Sequence, residues 1–275
     1  MGDVIELWHD SHVLGGMDIL RAECRTYRYD AHAHDFFVVA AFRAGAQKHC
    51  IGGTHGIALP GTVMIIPPGE VHAGESAARH EGWNYSAFYP SVATIERMSD
   101  ELFACSRGSL DFGTTCLIED KELSNKLLAA ADTAYRSDDI ARRQEAIYQA
   151  FAMLVRRYGQ RSRPTSPRRM SKAPIQRGLD YIMSNLDRRL TIDDIAAEAG
   201  LSAFHFMRLF KAHTNMTVHQ YVVHRRLEAA RIMLARGTSP ALAAANAGFY
   251  DQSHFTCHFK KAFGTTPRRY ADACR

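Results

Sequence analysis

Residues 248–270 read GFYDQSHFTCHFKKAFGTTPRRY, and a variant of the same pattern stands 49 residues earlier. His205-Phe206-x-x-x-Phe210-Lys211 is answered by His254-Phe255-x-x-x-Phe259-Lys260, Thr217 by Thr266, and Tyr221 by Tyr270. Six identities at one offset in a 17-residue window mark an internal repeat. A glycine precedes each copy, Gly200 and Gly248, with one extra residue in the second.

Each copy reads as helix, tight turn, helix. In the first, Thr191 followed by Asp194 makes a capping-box-like start, and Ile192, Ile195, Ala196 and Ala199 form an apolar stripe. Gly200 stands where a helix stops with positive φ, and Ser202 caps the next helix. In the second, Ser239-Pro240 supplies an N-cap and a proline at the first helical position, ahead of ALAAANA, Gly248-Phe249 and a helix over about Asp251–Phe263. The alanines make a thin first helix that must lie close to its neighbours. Between the copies, Thr217 and Gln220 form a capping box that opens a helix over Val218–Ala235. Its length of about 27 Å, at 1.5 Å per residue, compares with about 34 Å for one turn of B-DNA. A stiff spacer of that size suits two reading helices in successive major grooves.

Charge follows the same division. Residues 1–160 hold 15 Lys+Arg against 21 Asp+Glu, a net of −6. Residues 161–275 hold 19 against 8, a net of +11, which together make the formal +5 of the whole chain. Basic charge gathered into one half is the footprint of a polyanion-binding module. Gln160–Pro174, QRSRPTSPRRMSKAP, reads as a basic linker between the halves.

The quoted segment, together with GLS at 200–202, FxxLFK at 206–211 and RLEAARIML at 226–234, resembles the signature of AraC/XylS-type transcription regulators over about Ala173–Arg275. The resemblance implies a two-helix-turn-helix domain that binds double-stranded promoter DNA and acts on RNA polymerase, more often as an activator than a repressor. The family usually carries Arg where Cys257 stands and Pro where Val218 stands.

Helix faces nominate the DNA contacts. With Phe206, Leu209 and Phe210 inward, Phe204, Met207, Arg208 and Lys211 face out. Arg208 is the candidate for guanine O6 and N7, and Phe204 for a thymine methyl. In the second copy Gln252, Ser253 and Thr256 occupy the reading face, while Lys260 and Lys261 hold phosphate. Cys257 makes only weak polar contacts, so the first helix-turn-helix is expected to carry more specificity. His205 and His254 precede core phenylalanines and are assigned structural roles.

The front half has a different texture. Phe36–Phe42 (FFVVAAF), Thr62–Ile66 (TVMII) and Trp83–Tyr89 read as strands between Gly/Pro corners, which suggests a small sandwich or barrel. After residue 118, Leu123, Leu127, Ala131 and Ala134, then Ile147, Phe151, Leu154, Val155 and Tyr158, recur at helical spacing. They predict helices over about Lys121–Arg136 and Ile140–Tyr158. Their apolar stripe packs either on its own domain or against a second copy of the chain.

His32-x-His34 and Gly61-x5-Pro67-Pro68-Gly69-x2-His72 resemble the two motifs of cupins, the barrel also used as the effector domain of AraC-type regulators, over about Arg21–Tyr89. Histidines at i and i+2 on a strand share a face and, with His72, converge. Metal-binding cupins carry a Glu where this chain has Val38 and an Asn where it has Ser76. No metal or cofactor is therefore expected, and His32, His34, His72, Trp83 and Tyr85 are candidates for lining a small-molecule pocket. Six scattered cysteines without a CxxC pair read as reduced thiols.

The expected fold class is α+β with two domains. Residues 1–118 form a cupin-like β-barrel, 119–160 a helical dimerisation segment, 161–173 a basic linker and 174–275 an all-α DNA-binding domain. The last holds helix-turn-helix motifs at about 191–213 and 239–263 around a linker helix at 217–236. The expected function is a non-enzymatic, ligand-responsive activator working as a homodimer. Alternatives are a metal-dependent cupin enzyme fused to a DNA-binding module and a ligand-independent DNA binder. No apolar run nears the roughly 18 residues of a membrane span, and the start MGDVIELWHDSHVLGG carries no secretory signal pattern, so a cytoplasmic location is expected.

Overall fold

The computed structural model describes residues 2–78, 82–103, 109–113, 116–162, 173–214 and 216–274. The chain divides into two compact units, Met1–Thr165 with Ala273–Arg275, and Ser166–Asp272.

The first unit is built on strands β1 (Val4–Asp10), β2 (Met17–Cys24), β3 (Tyr29–His32), β4 (Val38–Gly45), β5 (Gln47–Ile51), β6 (Thr54–Ala58), β7 (Thr62–Ile66), β8 (His72–Ser76) and β9 (Trp83–Tyr89). Helix α1 (Val92–Phe103), strands β10 (Ser109–Asp111) and β11 (Leu117–Glu119), helices α2 (Lys121–Arg136) and α3 (Ile140–Tyr158), and strand β12 (Gln160–Ser162) complete it. A six-stranded sheet has the order β1-β2-β9-β4-β7-β11, a four-stranded sheet the order β3-β8-β5-β6, and β10 pairs with β12. The sequence reading found three of these strands. FFVVAAF starts later than predicted, since Val38–Ala41 pair with β7 and the strand runs past Phe42 to Gly45 along β9.

Alternation along the six-stranded sheet sends side chains to two faces. Ile19, Val39, Ala41, Val63, Ile65 and Phe88 form one core with Leu123, Leu127, Ala131, Ala134, Ile147, Phe151, Leu154 and Val155 of α2 and α3. Both helices have the predicted bounds, and their stripe packs on its own sheet, with Phe88 edge-on to Phe151 at 5.5 Å. An interface with a second copy would have to use the outward faces of these helices. The opposite sheet face carries Phe42, Trp83 and Tyr85 toward the four-stranded sheet, where the Tyr85 hydroxyl donates to the Tyr29 hydroxyl at 2.8 Å. A buried ion pair ties helix to hairpin: Arg143 Nε donates to Asp10 Oδ2 at 2.8 Å, and its Nη1 donates to the Ser137 and Asp138 carbonyls.

The second unit is all helical: α4 (Ala173–Ser184), α5 (Ile192–Ala199), α6 (Ala203–Thr214), α7 (Val218–Ala235), α8 (Pro240–Asn246), α9 (Gln252–Phe263) and α10 (Pro267–Ala273). Thr191 accepts from the Asp194 N–H, Gly200 is left-handed at φ 70°, and the Thr217–Gln220 capping box is complete. Ser239 accepts from the Leu242 N–H and Asp251 from the His254 N–H. Of the predicted linker, residues 161–162 belong to β12 and Ala173 opens α4, while 163–172 lie outside the described residues.

Candidate nucleic-acid interface and effector site

The sequence repeat is a repeat of packing. Phe206 and Phe210 of α6 are fully buried 5.4 Å apart, and Tyr221 of α7 meets Phe210 edge-on at 5.4 Å. In the second copy Phe255 and Phe259 of α9 are fully buried 5.4 Å apart, and Tyr270 of α10 meets Phe259 at 5.8 Å. Thr217 caps α7 and Thr266 accepts from the Arg269 N–H at the start of α10, so the short closing helix is the counterpart of the first turns of α7. Each helix-turn-helix thus closes its core with a tyrosine delivered by the helix that follows it.

Arg226 of α7 joins the two halves. Its guanidinium donates to the Leu186 carbonyl at 2.8 Å and the Arg188 carbonyl at 2.6 Å, both in the segment between α4 and α5. Gly248, at φ 81° in the turn between α8 and α9, lies against that same Leu186 carbonyl. Any Cβ there would sit 2.3 Å from the oxygen. The turn of the second motif is therefore seated on the first half through a carbonyl that the linker helix also holds. Sequence reading singled out Gly248 for its turn, but not this contact, because Leu186 and Arg226 carry no local signal of it. Gly178 of α4 was missed for the same reason: a Cβ there would meet the Phe206 ring at 2.5 Å.

On α6, Phe204 is 74% exposed and Met207 39%, and Arg208 and Lys211 are exposed beside them. On α9, Gln252, Ser253, Cys257, Lys260 and Lys261 are exposed and Thr256 is half-buried. All nine nominated contact residues thus lie off the buried phenylalanine face. His205 and His254 are also exposed. His254 stacks edge-on with His258 at 4.5 Å, and burial, then the neighbouring His254, His219 and Lys261, hold His258 below its ordinary value. Tyr250, 95% exposed just ahead of α9, escaped sequence reading because one exposed aromatic has no periodicity to reveal it.

In the β domain, His32 ends β3, His34 lies in the following segment, and His72 opens β8 opposite His32. The expected common strand face is thus corrected: a register shift and a turn bring His34 in, yet the three rings still converge. Their centroids are 4.3 Å (His32–His72), 4.8 Å (His32–His34) and 5.1 Å (His34–His72) apart. His34 stacks on Phe36 at 4.7 Å and meets Tyr89 edge-on. Burial lowers the His32 pKa, with its contact to the Asp30 carbonyl opposing.

Trp83 and Tyr85 share a face, stacked at 6.3 Å, and Tyr85 stacks on Phe42 at 5.8 Å. Burial pushes both hydroxyls of the Tyr29–Tyr85 pair well above the ordinary tyrosine value. On the facing sheet, His49 is buried over Gly56 and Gln47 over Gly74, two glycines whose missing Cβ atoms make the room. Trp83 Nε1 and His49 Nδ1 are buried without a hydrogen-bond partner. No described cysteine forms a disulfide, and burial raises the Cys24 thiol to about 12.

A family model described as an AraC-like ligand binding domain matches residues 14–151, half of the chain, and a helix-turn-helix domain model matches residues 195–273. The chain is 24% identical over 276 aligned positions to the HTH-type transcriptional activator RhaR of Mannheimia succiniciproducens, covering 98% of each. It is 33% identical over 92 residues to the probable transcriptional regulator LumQ of Photobacterium leiognathi, which is 33% of this chain and 37% of that one. Its fold is similar to that of an apo point variant of ToxT from Vibrio cholerae (TM-score 0.57, 11% identity, 99% and 98% covered). It also resembles unsaturated fatty acid-bound wild-type ToxT of that species (TM-score 0.51, 12% identity, 99% and 96% covered). The chain belongs to the AraC-type transcriptional regulators, with an AraC-like ligand-binding domain followed by a double helix-turn-helix DNA-binding domain.

Proposed function

We propose that this regulator activates transcription from promoters carrying two half-sites, read by α6 and α9, in response to a small effector held by the β domain. The observation that carries the reading is the paired aromatic build of the two helix-turn-helix motifs, each with an exposed polar and basic outer face. Arg208 reads guanine, Phe204 and Met207 pack on base edges, and Gln252, Ser253 and Thr256 make the weaker second reading. Lys211, Lys260 and Lys261 hold phosphates, and counterion release supplies much of the affinity.

The effector contacts proposed are His32, His34, His72, Trp83 and Tyr85. Buried polar groups are nearly always satisfied, and a bound polar molecule would satisfy Trp83 Nε1 and His49 Nδ1. Effector binding acts by favouring one arrangement of the two domains, which requires unequal affinity for the two states. The active form is a homodimer that contacts RNA polymerase in the bacterial cytoplasm; among the described residues no helix is long and apolar enough to cross a membrane.

The test is selection of duplexes from a random pool by the full chain. It should enrich two half-sites whose centres lie about 10–10.5 base pairs apart. Arg208→Ala should erase discrimination at one position, about 1–3 kcal/mol or roughly 5–150-fold, whereas Lys260→Ala should lower affinity uniformly and reduce the salt slope by about 1. A pool that shows no enriched sequence would overturn the reading.

A further inference from the structure

Helix α9 sorts its outward residues into two flanks. At about 100° per residue, with Phe255, Phe259 and Phe263 buried, Ser253 and Cys257 point straight away from the core. Thr256 and Lys260 then fall on one side, and His254, His258 and Lys261, at i, i+4 and i+7, on the other. The histidine side is a fixed cluster. His254 meets the buried Phe249 ring at 5.8 Å and the His258 ring at 4.5 Å, edge-on to both. Helix α7 adds His219 from its first turn, so the half-buried His258 ring faces three other basic groups, His254, His219 and Lys261. Gathering groups of one sign around an ionisable ring disfavours its proton, a cost that a bound anion relieves.

The major groove is about 12 Å wide and a helix with its side chains about 10–12 Å across, so a reading helix meets a phosphate backbone on each flank. We propose that His254, His258 and His219 form with Lys261 a phosphodiester site for one strand, and that this site takes up a proton as DNA binds. Lys260, on the opposite flank, faces the other strand. The site rests on the reading that α9 enters the groove. Its sign follows from the free protein, where burial first, and then the three neighbours, keep His258 below its ordinary value of 6.5. A phosphate within about 4–6 Å favours the charged ring and raises its pKa by about 1–3. The duplex therefore binds more tightly as pH falls, and that gain is lost as pH rises through the value His258 has in the complex.

The full chain is titrated into a fluorescent random-sequence duplex of about 30 base pairs at fixed ionic strength, because phosphate contacts are independent of sequence. The result is thus separate from whether a pool yields an enriched site. Affinity should fall roughly 3–20-fold from pH 6 to pH 8, and calorimetry at pH 7 in two buffers of different ionisation enthalpy should show net proton uptake. His258→Gln should remove most of both effects while binding within about twofold of the unsubstituted chain at pH 8, where the ring is neutral in either case. If that variant fails to fold by far-UV circular dichroism, the exposed His254→Gln replaces it and should lessen the dependence. His213→Gln, at the exposed end of α6, should leave it unchanged. Four results overturn the assignment: affinity independent of pH, a dependence kept in His258→Gln, one lost in His213→Gln, or His258→Gln weakening binding equally at both pH values, as a mere packing role would.

Discussion

Replacing Gly248 with alanine should cost about 2.5–5 kcal/mol, far more than its position in a surface turn suggests. Two terms contribute. An L-residue held in the left-handed region loses about 1–2 kcal/mol, and Gly248 sits at φ 81°. The added Cβ also lies 2.3 Å from the Leu186 carbonyl oxygen, where real Cβ contacts stay above 3.0 Å, so the turn must retreat by 0.7 Å (3.0 − 2.3). That carbonyl accepts from the Arg226 guanidinium at 2.8 Å, and breaking a hydrogen bond to a charged group costs about 1.5–3 kcal/mol. Gly237 is the internal control: it has φ 87° and nothing within 4 Å of an added Cβ, so Gly237→Ala should show the backbone term alone, about 1–2 kcal/mol. Urea unfolding of the full chain followed by far-UV circular dichroism measures both, and fluorescence anisotropy on a selected two-half-site duplex reports the effect on DNA. Gly248→Ala should also weaken two-site binding more than Gly237→Ala does, because the second motif loses its seat on the first half. If the two variants unfold within about 0.5 kcal/mol of each other, the Leu186–Arg226 seat is not what positions the second motif.

Two further outcomes bear on the β domain. Asp10→Ala leaves the buried Arg143 guanidinium, 4% exposed at its side chain, without its carboxylate and should destabilise by about 3–5 kcal/mol. Asp10→Leu with Arg143→Met should instead be neutral or stabilising by about 1–4 kcal/mol, and thermal unfolding of both variants decides it. Burial, then the nearby His55, lowers the His49 pKa below its ordinary value of 6.5. The unfolded chain therefore takes up that proton first on acidification, so the stability His49 contributes is complete above about pH 6.5 and is lost as pH falls through the folded value. His49→Gln should flatten the dependence of the urea midpoint between about pH 7.5 and 5, and an unchanged slope would rule the assignment out.

The legible parts of this protein are those whose causes are local in the chain. The Thr217–Gln220 box, Ser239-Pro240 and the apolar periods of 121–136 and 140–158 set helix ends within a residue, because caps and stripes act over one or two turns. The 49-residue repeat contained more than was drawn from it: Thr266 and Tyr270 answering Thr217 and Tyr221 already implied α10. Six of the nine strands from β1 to β9 escaped, four of them, β3, β5, β6 and β8, because half-buried strands with His, Gly and Gln among their residues lack the apolar alternation that marks a strand.

Sequence by itself determined that there are two units of opposite charge, that the basic one is a doubled helix-turn-helix, and which faces of α6 and α9 turn from the core. Each of these follows from composition, periodicity and capping within tens of residues. Tertiary structure alone decided the rest. It laid the α2–α3 stripe on the sheet and brought His34 beside His32 and His72 through a turn instead of a strand face. It also set Gly248 against Leu186, 62 residues away along the chain (248 − 186). Contacts of that kind depend on where separate elements come to lie, and nothing in the residues flanking either partner records the other.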